Sequence, residues 1–273
     1  MFEKLRSKIP IDILNKEIDL ENFISKARIE IDKNGYFIAK KLISNEWYHS
    51  CRKEAIEYFN KYSCKKNDLP TALRGNVSAG MADLLGYEKN TAWHLFRYCG
   101  FRWNKPNIEL IKVLETSHSL SRIRNVIYGN DLEYGDFIEE NNFFTYTSLS
   151  LYPLGGGFLN KHIDFKPSWN IKPMIHFKVE LTHKGKDYNN GGLYLTDKSN
   201  NSICLSDYVD PTDIIFFEGS QPHEIKPTGS GKLGRIAFFE IPASVIPSSR
   251  KCIYSGDGIS FPKKVLIKII NLL

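Results

Sequence analysis

The chain has 273 residues, of which 42% are hydrophobic, 25% charged and 13% aromatic. That suffices for one large domain or a core with an appended helical segment, and it excludes a chain dominated by disorder. A formal charge of +6 and a pI near 8.9 suit an anionic partner. No block of like charges and no basic helix supplies a nucleic-acid footprint, so a small anionic substrate is the expected partner rather than DNA or RNA.

Residues 1–20 break every apolar run with charge, and no stretch approaches the roughly 18 apolar residues of a membrane span. A cytoplasmic chain without a membrane span is expected. Five scattered cysteines, Cys51, Cys64, Cys99, Cys204 and Cys252, form no CxxC pair, which excludes a zinc ribbon and fits reduced thiols. In that compartment the N-x-S sites at Asn76 and Asn200 are chance matches.

In chain order, Leu20, Phe23, Ile24, Ala27 and Ile31 follow the spacing of an amphipathic helix, which Asn34-Gly35 stops. Residues 36–43 read as a short strand. Ser44 suits the N-cap of a second helix carrying Trp47, Tyr48, Cys51, Ala55 and Tyr58 on one face. A third helix covers residues 108–127 and ends at Gly129. Residues 69–104, just before it, are irregular and aromatic, with Phe96, Tyr98, Phe101 and Trp103 among arginines. They read either as a lid or pocket wall, or as satellite core packing with solvated arginines.

From residue 142 the texture changes to short strands at 143–152, 174–181, 192–196, 213–217 and 235–241, separated by Gly, Pro, Asn and Asp. That pattern implies an antiparallel sandwich or barrel. Residues 261–273 suggest a closing helix or strand on the outside.

The chemistry concentrates between Tyr152 and Asp164. If His162 to Asp164 is extended, the imidazole and the carboxylate emerge on one face while Ile163 packs behind them. Two His and one carboxylate on one face of an octahedron leave three positions open, as non-haem Fe(II) oxygenases require. His223, in Gly219-Ser220-Gln221-Pro222-His223 after an apolar strand, is the candidate third ligand, returned to the metal by a hairpin. Among seven histidines, His49 and His118 on helices, and His176 and His183 on or just after a strand, read as structural.

Arg235 starts a strand twelve residues beyond His223, from which a guanidinium can grip a carboxylate in bidentate fashion. Tyr152 offers a hydroxyl, and Gly191-Gly192 allows a tight turn or a close backbone approach. Other chemistries are excluded: residues 228–233 lack the first Gly of a phosphate loop, Gly155-Gly156-Gly157 lacks dinucleotide spacing, and no G-x-S-x-G elbow is present.

Tyr152-Pro153-x-Gly155-Gly156, His162-x-Asp164, Gly191-Gly192-x-x-Leu195, Pro222-His223 and Gly234-Arg235 occur in this order. Over residues 145–241 they resemble the Fe(II)/2-oxoglutarate-dependent oxygenase superfamily. Lys33-Asn34-Gly35-Tyr36-Phe37-Ile38, followed by Leu42-Ile43-Ser44 and a helix, is similar to its phytanoyl-CoA hydroxylase and prolyl hydroxylase-like members. The resemblance implies a mainly β protein with N-terminal helices around a double-stranded β-helix, or jelly roll. It divides the single unit 1–273 into a helical support and lid region (1–141), a catalytic core (142–245) and a C-terminal extension (246–273).

By the same resemblance His162, Asp164 and His223 bind iron, Arg235 pairs with the distal carboxylate of 2-oxoglutarate, and Tyr152 lies near that cosubstrate. A second polar contact is implied on residues 174–181, where His176, Lys178 and Glu180 replace the usual Tyr or Thr and Lys178 is assigned to the cosubstrate. The implied reaction is hydroxylation of a small, anionic or sugar-like substrate with decarboxylation of 2-oxoglutarate to succinate, using Fe(II) and, as accessory, ascorbate. Residues 165–173, with Lys166, Trp169 and Lys172, are the expected substrate contacts. Two alternatives stand beside it: a cupin-like metal-binding protein without 2-oxoglutarate chemistry, and a catalytically silent jelly-roll binding module. Substrate identity and oligomeric state are not legible in these residues.

Overall fold

Capping residues place the helices where the apolar periodicity puts them. In the computed structural model, which describes residues 2–62, 77–78, 92–93, 96–100, 102, 106–137, 139, 143–164, 174–246 and 251–254, a short α1 (Phe2–Ser7) precedes α2 (Leu20–Asn34). Asp19 caps α2 by accepting from the backbone N–H groups of Glu21 and Asn22, and Gly35 ends it at φ +82°. That left-handed conformation costs glycine nothing. α3 (Asn45–Tyr62) starts after Ser44, whose Oγ accepts from the Trp47 N–H at 3.4 Å. α4 (Ile111–Tyr128) follows a 3-10 turn and stops at Gly129, φ +84°.

The strand β1 (Tyr36–Ala39) is shorter than the sequence suggests. Lys41 turns to φ +53°, and its N–H donates to Asp213 Oδ1 at 2.8 Å, so a side chain replaces a strand partner there. Twelve more strands follow: β2 (Val77–Ser78), β3 (Ala92–Trp93), β4 (Phe96–Gly100), β5 (Phe143–Tyr152), β6 (Phe158–His162), β7 (Ile175–Glu180), β8 (Gly192–Thr196), β9 (Ser202–Cys204), β10 (Ile214–Glu218), β11 (His223–Lys226), β12 (Arg235–Ile246) and β13 (Lys251–Tyr254).

They form two antiparallel sheets. The larger runs β1-β10-β7-β12-β5-β4-β2 with β13 on β12, and the smaller runs β3-β6-β11-β8-β9. From β5 onward the chain passes from sheet to sheet, and among the described strands only β8–β9 and β12–β13 are adjacent in both sequence and space. β10 and β11 therefore lie in different sheets, so the expected hairpin that would return His223 is instead a crossing between layers.

Alternation along the strands sorts the core into two parts. Ile175, Phe177 and Val179 of β7, with Ile214 and Phe216 of β10, pack against the helices. Ile215 and Phe217 of β10 turn the other way and join Tyr152, Leu193 and Ile225 between the sheets. By the same alternation His176, Lys178 and Glu180 share the inner face of β7, and all three are buried.

One charged network ties the helices to β12. Glu240, fully buried, accepts from Arg124 Nη1 at 2.9 Å, Ser121 Oγ at 2.6 Å and Thr145 Oγ1 at 3.1 Å, and pairs with Arg102. Burial alone would raise the Glu240 pKa, but the two guanidinium groups outweigh it and lower it. Arg102 is thus an internal counterion, also 3.4 Å from Asp136, and not a solvated arginine. Most of 69–104, together with 165–173, 261–273 and Cys64, lies outside the described residues. Cys51 and Cys204 are free and buried. Among the described residues no helix is long and apolar enough to cross a membrane.

Removing the acceptor of this network strands a buried guanidinium. Glu240→Ala is expected to lower the unfolding free energy by about 3–5 kcal/mol, read by urea denaturation. A loss below about 1 kcal/mol would mean that water compensates Arg124.

Candidate metal centre

The register of β11 between β6 and β8 brings the expected ligands together. His223, the first residue of β11, stands opposite His162, the last of β6, and opposite Leu195 of β8. Their imidazole centroids are 4.3 Å apart. Asp164 lies two residues past the end of β6, and its Oδ1 is 3.4 Å from His162 Nε2 while Oδ2 is 3.2 Å from His223 Nε2. One ligand atom from each of the three lies within 4.8 Å of the others. Ile163 does not pack behind them: it is 39% exposed, because the strand ends at His162 and the backbone bends outward.

The outer nitrogens set the tautomers. His162 Nδ1 donates to the Asn160 carbonyl at 2.7 Å and His223 Nδ1 to the Gln221 carbonyl at 3.1 Å. A carbonyl only accepts, so each Nδ1 carries a hydrogen, and in the neutral form of either ring the Nε2 lone pair faces Asp164. Burial first, then the charges of Lys178 and His162, push the His223 pKa down to about 3, so this ring is neutral at pH 7. For Asp164 burial acts upward, but the charge and hydrogen bonds of His223 and His162 in their protonated forms outweigh it and lower the carboxyl well below its usual range. Two imidazole nitrogens and an anionic oxygen suit a divalent cation of the Fe(II) kind.

Lys178 and Arg235 lie along one inner wall. Lys178 Nζ is 5.2 Å from the Phe217 ring centroid and 4.9 Å from that of Phe239. Arg235 begins β12 opposite Tyr152, with its guanidinium 5.3 Å from that ring, and it is ion-paired with buried Glu180. Arg235 therefore already has a carboxylate partner within the protein. Gly191, φ +70°, lets the start of β8 approach the Lys226 and Pro227 carbonyls where a Cβ would collide.

His176, which the sequence reads as structural, belongs to the centre. It lies on the inner face of β7, 1% exposed, with Nε2 3.8 Å from Asp164 Oδ2. The signal was the alternation His176-x-Lys178-x-Glu180, which puts the ring on the same face as the lysine assigned to the cosubstrate. The other histidines among the described residues lie elsewhere: His118 pairs with Asp136 at 2.8 Å, His183 meets the Tyr48 hydroxyl at 2.5 Å, and His49 is on α3.

No family model matches the chain, and a search of curated proteins finds no match. Among solved structures the chain is similar to a prolyl-4-hydroxylase from Pseudomonas putida, at 14% identity over 80% of this chain and 96% of that one, with a TM-score of 0.52. It is also similar to EctD from S. alaskensis in its apoform, at 13% identity over 87% of this chain and 81% of that one, with a TM-score of 0.50. The chain has the fold of the Fe(II)/2-oxoglutarate oxygenases. At these identities the likeness is one of fold. Other crystal structures of that EctD hold bound Fe, or 2-oxoglutarate with 5-hydroxyectoine. In this oxygenase fold, the present chain brings two histidines and an aspartate to one point between its sheets.

Mn(II) at a hundredfold its Kd is expected to stabilise the wild-type protein by about 2.7 kcal/mol, by mass action. The His162→Ala, Asp164→Ala and His223→Ala proteins should show none of that gain, and EDTA should remove it from the wild type. Equal thermal shifts in all four proteins would place the ion elsewhere.

Proposed function

We propose that this protein is an Fe(II)- and 2-oxoglutarate-dependent dioxygenase that hydroxylates a small, anionic or sugar-like substrate and releases succinate. The observation that carries the reading is the convergence of His162, Asp164 and His223. On this reading the alternating strands of residues 142–245 are the double-stranded β-helix, residues 1–141 brace it and supply the lid, residues 246–273 extend it, and the protein works in the cytoplasm. EctD, which has this fold, binds both Fe and 2-oxoglutarate, which supports the same pair of cofactors here.

When bound, iron with 2-oxoglutarate supplies oxidative decarboxylation and the activation of dioxygen. The chain's own residues do the rest. His162, Asp164 and His223 hold the cation through two nitrogens and one oxygen. Lys178 is the contact for the distal carboxylate, because its charge sits within reach of His223 and is walled by the Phe217 and Phe239 rings. Those rings also exclude water, which strengthens a charge-assisted bond to the ammonium. Arg235 keeps Glu180 neutralised behind it, and Tyr152 packs against that guanidinium.

The internal pairing of Arg235 also favours a second reading, a cupin-like metal protein without 2-oxoglutarate chemistry. One assay separates the two. With Fe(II), ascorbate and 2-oxoglutarate, a substrate screen should yield succinate, and His162→Ala should abolish it. Lys178→Ala should raise the KM for 2-oxoglutarate roughly 10–100-fold, the loss of one charge-assisted bond. Arg235→Gln should instead lower the unfolding midpoint with a smaller effect on that KM. The reverse pattern would return the anion contact to Arg235, and metal binding without any 2-oxoglutarate binding would favour the cupin-like protein.

A further inference from the structure

Among the described residues His176 is the one buried imidazole at the centre to which neither the ligand set nor the cosubstrate contact assigns a task. Its Nδ1 donates to the backbone carbonyl of Glu240 at 3.1 Å. That bond fixes the hydrogen on Nδ1 and leaves a lone pair on Nε2, by the same logic that applies to His162 and His223. Nε2 is buried, has no hydrogen-bond partner among the described residues, and lies 3.8 Å from Asp164 Oδ2. An acceptor left bare beside a carboxylate is costly, by about 1–3 kcal/mol, unless a donor enters between them.

The ring cannot turn away to relieve this. It packs against Phe217, with centroids 5.4 Å apart, and Gly219 lies directly over Nε2. A Cβ at Gly219 would collide with that nitrogen, so the missing side chain there is what lets the imidazole point at Asp164. Nor is His176 a fourth ligand: the group whose donor atoms all lie within 4.8 Å of one another holds His162, Asp164 and His223 and leaves His176 out. The distance that remains is one that a water bridges well.

We propose that His176 is a positioning residue whose Nε2 accepts a hydrogen bond from a water carried by the bound cation, beside the Oδ2 oxygen of Asp164. The role rests on the metal-centre reading above. It fixes the orientation of one of the coordination positions that the three ligands leave open. It also joins that position, through the Glu240 carbonyl, to the β12 strand whose Glu240 side chain is gripped by Arg124 and Arg102.

The test uses Mn(II) as the probe and the full chain. Affinity is read by calorimetry, and the water on the bound ion by its effect on water-proton relaxation. His176→Leu removes the acceptor, whereas His176→Gln keeps an amide oxygen near the position of Nε2. The leucine protein should bind Mn(II) about 10–100-fold more weakly, the range found when an outer partner of a metal site is lost. It should also change the relaxation effect, and glutamine should restore most of both.

Thermal melts of the metal-free proteins establish that both variants fold. Should the leucine protein fail to fold, His176→Met, of similar length and with only a weak acceptor, replaces it. Leucine and glutamine proteins that bind Mn(II) alike, whether at wild-type strength or equally weakened, would overturn the proposal, because the acceptor would then play no part. A wild-type protein that binds no Mn(II) would overturn the metal centre itself, a failure distinct from normal binding in the leucine variant.

Discussion

A buried carboxylate with imidazole lone pairs turned towards it requires a positive charge where they meet. Asp164 is 3% exposed, and Nε2 atoms face it at 3.4 and 3.2 Å from rings whose Nδ1 hydrogens are committed to backbone carbonyls. No rearrangement of protons among neutral rings satisfies all three groups together. A divalent cation would do so, and the burial that makes the cluster unfavourable without it would strengthen its hold once bound.

The surrounding fold keeps the rings from escaping that arrangement. β11 is paired on both edges, to β6 and to β8, so His223 cannot shift along the strand without breaking two ladders. Behind the centre, β7 turns Phe177 and Val179 to the helices and His176, Lys178 and Glu180 inward, so one strand supplies both helix packing and the charged inner wall. Glu240 links these layers. Its carboxylate is held by Arg124 from α4 and by Arg102, while its carbonyl accepts from His176.

Much of this was legible in the chain because it is local. The α2 helix runs between Asp19 and Gly35 as its apolar spacing and capping residues indicate, and α4 stops at Gly129. Of the five strands expected beyond residue 142, four lie within a residue or so of their predicted bounds, while β12 runs five residues further, to Ile246. The departures have long-range causes. β1 ends early because Asp213, distant in sequence, takes the Lys41 N–H. Arg102 is internal because Glu240 and Asp136 come to meet it.

The sequence by itself determined residue types and spacing: a His-x-Asp at a strand end, a histidine after an apolar strand, a cation-bearing β7 and the glycines where backbones must approach. Those follow from periodicity and backbone geometry, which act over a few residues. Only the tertiary structure decided which side chains share a pocket. It set His223 against His162 across a ladder, gave Arg235 an internal carboxylate in Glu180, and brought His176 to Asp164. Strand order, register and the crossing between sheets fix those pairings, and they depend on contacts among residues far apart in the chain.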